Sequence, residues 1–282
     1  MFVVVEGKVL DPVFYDRLFA QLSSAIDVRS IDTVDLPRGL PQRGKQAVLA
    51  LFVLYRRQGR LVQGTTSEAK NIVFIVDRDL DGICGRLMRS SNLIYTSARD
   101  VEAEIHLHGN VERALSTALS ATFSEAHDVA QHLGSYMTSL ANLWREWLEL
   151  GVLSWSCRSR SPVPLGGASS VNDSRFGPVI NAKVHDARRQ IYQGRSSVGG
   201  FSNRARTVRG RVRRLYDSQL QHLLIKGKWL PEYVEYLIKT QYGSQTFAMN
   251  AFGVKFTHSM LDTLNFSDDW AKYYHDRVRA LL

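Results

Sequence analysis

An apolar segment that runs directly into alternating carboxylates is the feature that most constrains this chain. It reads Asn71-Ile-Val-Phe-Ile-Val-Asp77-Arg-Asp79-Leu-Asp81-Gly82. An apolar run that is closed by charges and a glycine is typical of a buried strand ending in a turn. Three carboxylates so close together repel one another unless a cation or strong donors offset their charge. The segment therefore predicts a divalent-cation site at the end of a strand.

A second acid follows an apolar run at the start of the chain, where residues 2–5 lead into Glu6-Gly7-Lys8. In an open sheet with helical crossovers, groups at the carboxyl ends of parallel strands converge on one crevice, however far apart they are in sequence. Glu6 and Asp77 are therefore predicted to share one ion, with Asp79 as a further ligand.

The first hundred residues alternate between short apolar runs and helical patterns, which predicts an α/β fold with a largely parallel sheet and flanking helices. Strands are predicted at residues 2–5, 28–34, 72–76 and 92–95. The first helix is predicted to begin with Asp11 as its N-cap and Pro12 at its first position. A second helix is predicted over residues 44–58.

From residue 110 onward the pattern becomes mostly α-helical. One long helix, capped by Asn110, is predicted to reach Leu150. Residues 156–178 are rich in Ser, Pro and Gly, which predicts a surface loop. A helix with a basic first half is predicted over residues 202–224. Further helices are predicted to open at Pro231 and Ser267.

The basic residues are concentrated in the second half of the chain. Residues 156–228 contain 15 Lys and Arg and three Asp, a net charge of +12, whereas the whole chain carries +9. A concentrated positive surface suits polyanion binding, because each neutralised phosphate releases counterions. A solvated basic face, or a contact for an acidic protein, is the alternative.

Two domains are predicted. Residues 1–108 form a metal-binding catalytic domain, and residues 109–282 form a helical domain, whose nucleic-acid-binding segment covers about 156–228.

The sequence argues against a transmembrane protein and against a protein stabilised by disulfides. The chain has no apolar run of about 18 residues and no N-terminal leader pattern. Its two cysteines, Cys84 and Cys157, lack the spacing of a disulfide framework or a zinc site. A soluble, cytoplasmic protein with no membrane association is expected.

Other chemistries for the acidic segment fit less well. The spacing Asp77-x-Asp79-x-Asp81-Gly82 opens like a calcium loop, but Met88 stands at the twelfth position, where a bidentate Glu is required. A phosphatase with an aspartate nucleophile would carry Thr or Val at the place of Asp81. The carboxylates could also merely cap a turn and the next helix, a role that is common for any single Asp.

A third acidic group, Asp100-Val101-Glu102, follows the last predicted strand. At a helix start such acids are favoured by the helix dipole alone. Glu102 could nevertheless reach the same crevice and complete a second cation site, and paired ions can stabilise both oxygens of phosphodiester cleavage. Lys8 and Lys45 could neutralise a phosphate nearby.

The order of these motifs resembles the Toprim fold shared by topoisomerases, bacterial primases and overcoming-lysogenization-defect nucleases. More narrowly, the chain resembles a bacterial Toprim family that includes the nuclease subunit of the PARIS anti-phage defence system. The similarity covers roughly residues 1–108. The residues that carry it are Val5-Glu6-Gly7-Lys8, Phe14-Tyr15, Gly44-Lys45, Ile75-Val76-Asp77-Arg78-Asp79, Tyr95 and Asp100-Val101-Glu102.

The resemblance implies a nuclease that uses one or two Mg²⁺ or Mn²⁺ ions. Glu6 would be a metal ligand or general base, Asp77 and Asp79 paired metal ligands, and Asp81 and Glu102 supports for a second ion. Relatives usually carry Asn and an aromatic residue after the fourth-motif Glu, whereas Ala103 and Glu104 follow Glu102 here.

The resemblance also implies partners. The expected substrate is nucleic acid, with RNA, and transfer RNA in particular, favoured over DNA, and the expected regulator is an ABC-type ATPase of a defence system. A homodimer is possible. From the distribution of charge, contacts with the phosphate backbone of the nucleic acid are assigned to the basic helix. The arginines concerned are Arg204, Arg206, Arg209, Arg211, Arg213 and Arg214. The alternatives are a DNA-cleaving nuclease and a non-catalytic subunit that binds nucleic acid or organises an assembly.

Overall fold

The computed structural model describes residues 1–23, 25–63, 70–157, 171–172, 175–178, 182–193 and 199–282. The chain divides into two compact units. The first unit contains Met1–Arg78, Leu87–Gly109 and Leu264–Leu282, and the second contains Asp79–Arg86 and Asn110–Thr263. Within the described parts of the chain, no helix has both the length and the apolar character needed to cross a membrane.

The first unit is built on a small, mainly parallel sheet. Its strands are β1 (Phe2–Val5), β2 (Asp27–Ser30), β3 (Val62–Gln63), β4 (Lys70–Val76) and β5 (Leu93–Tyr95). β1 pairs in parallel with β2 and with β4, and β4 pairs in parallel with β5, while the two-residue β3 is antiparallel to the start of β4. The α/β class and the largely parallel sheet that the sequence predicts are confirmed.

Helices cover both faces of this sheet. The helices of the first unit are α1 (Leu10–Phe19), α2 (Gly44–Arg57), α4 (Val101–His108) and α13 (Asp269–Arg279). Side chains alternate along a strand, so successive residues of β4 point to opposite faces. One face packs against α2 through a cluster that includes Val4, Phe74 and Val76 from the strands and Val48, Leu51 and Phe52 from the helix. The intervening residues Val3, Val5, Val73 and Ile75 are buried as well, as expected for a parallel sheet covered on both sides.

Two local predictions in the first unit are wrong. Asp11 is not the N-cap of α1, because the helix starts at Leu10 and its N-cap is Val9, which makes no side-chain cap hydrogen bond. The carboxylate of Asp11 turns back to the end of β1 instead. The strand predicted over 28–34 is shorter, because Ser30 caps a 3₁₀ turn over Ile31–Thr33 by accepting a hydrogen bond from Asp32 N.

The second unit is helical in its described ranges. Its elements are α3 (Asp81–Cys84), α5 (Val111–Leu119), α6 (Phe123–Leu133), α7 (Tyr136–Leu143), α8 (Arg145–Cys157), α9 (Ala182–Gln193), α10 (Phe201–Asp217), α11 (Leu230–Tyr242) and α12 (Phe252–Asp262). Short 3₁₀ turns lie at Gln221–Leu224 and Gly227–Trp229. The basic helix therefore ends at Asp217, before Leu220 and Leu224.

The single long helix predicted from Asn110 to Leu150 is wrong. Asn110 does cap α5, by accepting a hydrogen bond from Arg113 N. The chain then leaves the helix at Ser120, which adopts a left-handed conformation, and restarts at Thr122. Gly134, also at positive φ, ends α6. Much of the loop predicted at 156–178 lies outside the described residues.

The two units differ from the predicted domains at two places. The predicted boundary between residues 108 and 109 lies next to the passage from Gly109 to Asn110. The C-terminal segment Leu264–Leu282, however, belongs to the first unit, and Asp79–Arg86 belongs to the second. The sheet unit therefore needs residues from both ends of the chain.

Candidate functional site

Glu6 and Asp77 lie together at the carboxyl ends of two neighbouring parallel strands. β1 and β4 pair in register from Phe2 with Ile72 to Val5 with Ile75, so the next residues of both strands emerge side by side. Asp77 N lies 3.4 Å from Glu6 Oε2. From β1 the chain continues outward to β2, and from β4 it continues outward to β5 in the opposite direction. The gap between the two strand ends is therefore the switch point at which open α/β sheets bind ligands.

Gly7 and Asp11 form the turn that follows Glu6. Gly7 N donates a hydrogen bond of 2.7 Å to Asp11 Oδ2. A methyl group on Gly7 would overlap the Asp11 carboxylate, whose Cγ would lie only 2.6 Å from it. Burial raises the pKa of Asp11, the hydrogen bond from Gly7 lowers it, and the charge of Asp100 raises it again, with a net increase. The turn therefore requires glycine directly after the candidate ligand.

The start of α2 approaches Glu6 from another side. Gly44, the first residue of this helix, has φ of +63°, and a methyl group placed on it would lie 4.0 Å from Glu6 Oε1. Lys45 Nζ lies 6.0 Å from the centre of the Tyr95 ring at the end of β5. A helix N-terminus offers unpaired N–H groups and a positive dipole end, which favour anions such as phosphate. The N-terminal end of α2 therefore lies beside the Glu6 carboxylate at the end of β1.

The backbone after Asp77 is anchored by the loop that follows β5. Arg78 N donates a 2.8 Å hydrogen bond to Thr96 Oγ1, and Arg78 Nη1 donates a 3.2 Å hydrogen bond to Ser97 O. These contacts fix the direction in which the chain leaves β4. They hold Asp77 at the strand end irrespective of any ligand.

A buried carboxylate, Glu104, in turn organises that loop. Its Oε1 accepts hydrogen bonds from Ser97 Oγ at 2.7 Å, Ala98 N at 2.7 Å and Tyr274 Oη at 2.5 Å. Its Oε2 lies 3.5 Å from His108 Nε2. Burial alone raises the pKa of Glu104, but the hydrogen bonds from His108, Tyr274, Ala98 and Ser97 outweigh it, and the pKa is lowered. Glu104 is therefore a buried, ionised side chain with a structural role.

Asp79 and Asp81 belong to the second unit and contact residues of that unit. Asp79 has φ of +48°, a left-handed conformation that Asp and Asn tolerate better than most residues. Lys226 Nζ lies 4.0 Å from Asp79 Oδ1. The indole N–H of Trp155 donates a 3.0 Å hydrogen bond to Asp81 Oδ1. The predicted role of both aspartates as metal ligands stays a prediction.

Glu102 lies in the first turn of α4, in the first unit, and is partly buried. Asp100, two residues earlier, is the N-cap, and its carboxylate accepts a 2.9 Å hydrogen bond from Ala103 N. The fourth acidic motif therefore contributes to the start of a helix. Over the described residues, no three His, Cys, Asp or Glu side chains are grouped so that they could hold a metal ion.

The arginines of α10 fall into two groups. Three of them contact other parts of the second unit: Arg204 donates to Ser156 O, Arg209 pairs with Glu149, and Arg211 donates to Ile83 O. Arg206, Arg213 and Arg214 lie on the exposed side of the helix, with Arg213 paired to Asp217 one turn on. Lys8, in the first unit, is also exposed. Of the six predicted arginines of α10, Arg211 is partly buried and the other five are exposed.

Sequence reasoning missed the residues that support the strand ends. The sequence indicated Asp11 as a helix cap because Pro12 follows it. Gly7, four residues before Asp11, was the available signal for a turn. Glu104 had no signal of its own, since acids in a first helical turn are common. Its significance comes from burial and from Tyr274, which lies 170 residues further along the chain.

No protein-family model and no curated protein shows a significant match to this chain.

Proposed function

We propose that this chain is a Mg²⁺- or Mn²⁺-dependent phosphodiesterase that cleaves nucleic acid. The observation that carries the proposal is the meeting of Glu6 and Asp77 at the switch point of the sheet, with Asp77 N 3.4 Å from Glu6 Oε2. The Glu6 carboxylate thus lies beside the backbone of Asp77, although the two residues are 71 positions apart in the chain. The resemblance of the motifs to Toprim nucleases supports the same chemistry.

The donor set fits a hard divalent cation. Mg²⁺ is usually held by one or two carboxylates and completes its shell with water and substrate phosphate. Glu6 and Asp77 would hold such an ion. When bound, it would supply Lewis-acid stabilisation of charge on a phosphate. Asp79, Asp81 and Glu102 stay predicted additional ligands, and a second ion stays a prediction with them.

The remaining groups of the first unit have roles that follow from their positions. The positive dipole end of α2 would favour a phosphate, and the Lys45 ammonium would add positive charge. The hydrogen bond between Gly7 and Asp11 holds the backbone after Glu6. Thr96 and Ser97 hold the backbone after Asp77 through Arg78. These hydrogen bonds fix the backbone next to Glu6 and Asp77, which would lower the cost of ordering the two side chains around an ion.

RNA is the proposed substrate, and transfer RNA in particular, by resemblance to nucleases of anti-phage defence. Phosphate contacts by arginine are nearly indifferent to the sugar and the base, so the basic helix fits RNA and DNA alike. An ABC-type ATPase as regulator, a homodimer and a cytoplasmic location belong to the same proposal.

A second candidate is a non-catalytic subunit that binds nucleic acid. One observation favours it: five of the six predicted arginines of α10, all but Arg211, are exposed. In this alternative the exposed arginines of α10 bind the nucleic acid, and the acidic residues at the strand ends have no catalytic role.

Cleavage assays with matched variants test the proposal. The purified chain is incubated with labelled transfer RNA and with labelled DNA, in Mg²⁺, in Mn²⁺ and in chelator. We expect metal-dependent cleavage, and we expect Asp77→Asn or Glu6→Gln to reduce it by roughly 100-fold or more, as for loss of a group that stabilises transition-state charge. Asp16→Asn, on the exposed side of α1 in the same unit, is the control and should cleave like the wild type.

Calorimetric titration with Mn²⁺ adds a readout that does not depend on activity. The wild type and Asp16→Asn are expected to bind the ion, and Asp77→Asn to bind it at least tenfold more weakly. Asp79→Asn keeps a residue that tolerates the left-handed backbone and so tests the charge of Asp79 alone. Cleavage that persists in chelator and in Asp77→Asn would eliminate the metal mechanism. RNA binding without any cleavage or Mn²⁺ binding would favour the second candidate.

A further inference from the structure

Trp155 differs from the other described tryptophans in its surroundings. Its surface is 46% exposed, whereas Trp144 is fully buried and packs with Trp147 and Trp229. No aromatic ring among the described residues packs against Trp155. Its indole is nevertheless held in place, because its N–H donates a 3.0 Å hydrogen bond to Asp81 Oδ1. A large aromatic ring is thus fixed at the surface of the second unit.

Two arginines contact the end of the helix that carries this ring, and a third contacts α3, the helix of Asp81. Arg86 donates hydrogen bonds to Trp155 O at 2.9 Å and to Ser156 O at 2.6 Å. Arg204 donates to Ser156 O at 3.1 Å. Arg211 donates to Ile83 O, in α3, at 2.7 Å. The guanidinium groups of Arg86 and Arg204 are therefore anchored next to Trp155, on the last carbonyl groups of α8. That of Arg211 is anchored on α3, the helix of Asp81, whose carboxylate accepts the hydrogen bond from Trp155.

Helix capping explains only part of this arrangement. Cations near a helix C-terminus are favoured by the dipole and by its unpaired carbonyl groups. A guanidinium has five N–H donors, however, and the hydrogen bonds that each of these arginines makes to the carbonyl groups named above use one or two of them. The remaining donors can bind phosphate in the planar, bidentate manner typical of arginine. Capping also gives no reason for an exposed tryptophan.

We propose that Trp155, with Arg86, Arg204 and Arg211, forms a binding site for a single-stranded segment of RNA. A base would stack on the exposed indole, and the neighbouring phosphates would contact the guanidinium groups. Exposed aromatic rings set in positive surfaces are the usual means by which proteins hold single strands without reading their sequence. The proposal rests on the proposed function for its choice of RNA, and it adds that the bound segment is unpaired.

Binding of a short RNA to the full chain tests the site. A labelled single-stranded 12-nucleotide oligouridine is titrated with the protein in chelator, so that no cleavage occurs. We expect Trp155→Ala to weaken binding by roughly tenfold, the effect of losing one stacked base. Phe123→Ala is the matched control, because Phe123 is an exposed aromatic residue of the same unit, at 66%, outside this arginine cluster. It should bind like the wild type.

Trp155→Phe separates stacking from the hydrogen bond to Asp81. Phenylalanine keeps a stacking face but cannot donate to Asp81, so we expect most of the binding to remain. Equal loss in Trp155→Phe and Trp155→Ala would mean that the hydrogen bond, and not stacking, is responsible, and would overturn the site. Replacing Arg86 and Arg204 by Gln should reduce the slope of log affinity against log salt by about one per lost contact. Folding of every variant is checked by thermal unfolding, and a variant that melts with the wild type is informative.

The binding experiment tests the single-strand site separately from the proposed nuclease activity. If wild-type protein cleaves RNA and loses this activity in Asp77→Asn, while Trp155→Ala binds normally, the single-strand site is wrong and the proposed function stands. If Trp155→Ala weakens binding but no preparation cleaves, the site stands and the proposed function is wrong. A duplex RNA of the same length, and a single-stranded DNA, complete the comparison. Tighter binding of the duplex would also overturn the site.

Discussion

Two buried side chains of α4 both reduce the stability of the fold as pH falls. Glu104 has a lowered pKa despite its burial, so its contribution to stability is present above the ordinary value of 4.5 and is lost as the pH falls below it. His106 is 4% exposed, and burial lowers its pKa from 6.5 to about 3. The unfolded chain takes up a proton on His106 near pH 6.5, whereas the folded chain does not. His106 therefore lowers stability between pH 6.5 and about 3, and the loss of the Glu104 contribution adds to this at the acidic end of the range.

We predict that His106→Gln makes the free energy of unfolding less dependent on pH. Between pH 7 and pH 5 the histidine costs the folded state about 2 kcal/mol, from a limiting slope of about 1.4 kcal/mol per pH unit. The free energy of unfolding, measured with urea at pH 7 and at pH 5, should differ between the two pH values by about 2 kcal/mol less in the variant than in the wild type. His258→Gln, at an exposed position of the second unit, is the control. Parallel pH profiles for wild type and His106→Gln would contradict the assignment.

At this scale the sequence indicated the residues that follow strands and missed the residues that support them. Glu6 and Asp77 could be identified because an acid directly after an apolar run has a position determined by the strand. Glu104 could not, since its partners Ser97, Ala98 and Tyr274 become neighbours only when the C-terminal helix joins the sheet unit. Burial of a charge depends on three-dimensional packing, which one sequence does not display.

Elements were predictable where capping signals and periodicity agreed. β1 was predicted at its observed bounds, and α2 to within one residue. The long helix after Asn110 was wrong because its apolar periodicity was given more weight than Thr122 with Glu125. These two residues form a reciprocal capping box at the start of α6, and that spacing is itself a helix-start signal.

The basic helix α10 offers a prediction about a glycine within it. Gly210 lies in the helix interior, and a methyl group placed on it would meet no atom within 4 Å. Alanine is more favourable than glycine in a helix by up to about 1 kcal/mol. We expect Gly210→Ala to raise the free energy of unfolding by that amount, measured by urea denaturation followed by circular dichroism.

Gly200, at the start of the same helix, is the matched control. It also has open space around it, but its φ of +69° is left-handed. A side chain in this conformation costs roughly 1–2 kcal/mol, so Gly200→Ala should lower stability. Two glycine-to-alanine changes at one helix are thus expected to have opposite signs. Destabilisation by both would mean that Gly210 is required for packing and not merely tolerated.

At the scale of the whole molecule, the sheet unit is completed by the last helix of the chain. Tyr274 Oη donates to Glu104 and accepts a 3.0 Å hydrogen bond from Ser97 N. His275 Nε2 lies 2.8 Å from Leu18 O, and Asn71 Nδ2 donates to Leu281 O. This return could not be predicted from the sequence, because α13 has the same amphipathic pattern as the helices of the second unit. Only the packing reveals that the segment 264–282 belongs with residues 1–78 and 87–109.

We predict that a chain ending at Thr263 fails to fold its sheet unit. Without α13, Glu104 would lose Tyr274 as a hydrogen-bond donor, and the aromatic packing of Tyr15 against Tyr274 would disappear. Tyr274→Phe in the full chain measures the hydrogen bond alone, because the ring is kept; a bond to a charged group is expected to contribute about 1.5–3 kcal/mol. Lys272→Ala, on the exposed side of α13, is the control and should stay within about 0.5 kcal/mol of wild type. Cooperative unfolding of the truncated chain at the denaturation midpoint of the wild type would show that the sheet unit folds without its C-terminal helix. The hydrogen bonds around Glu104 would then be a consequence of folding and not a requirement for it.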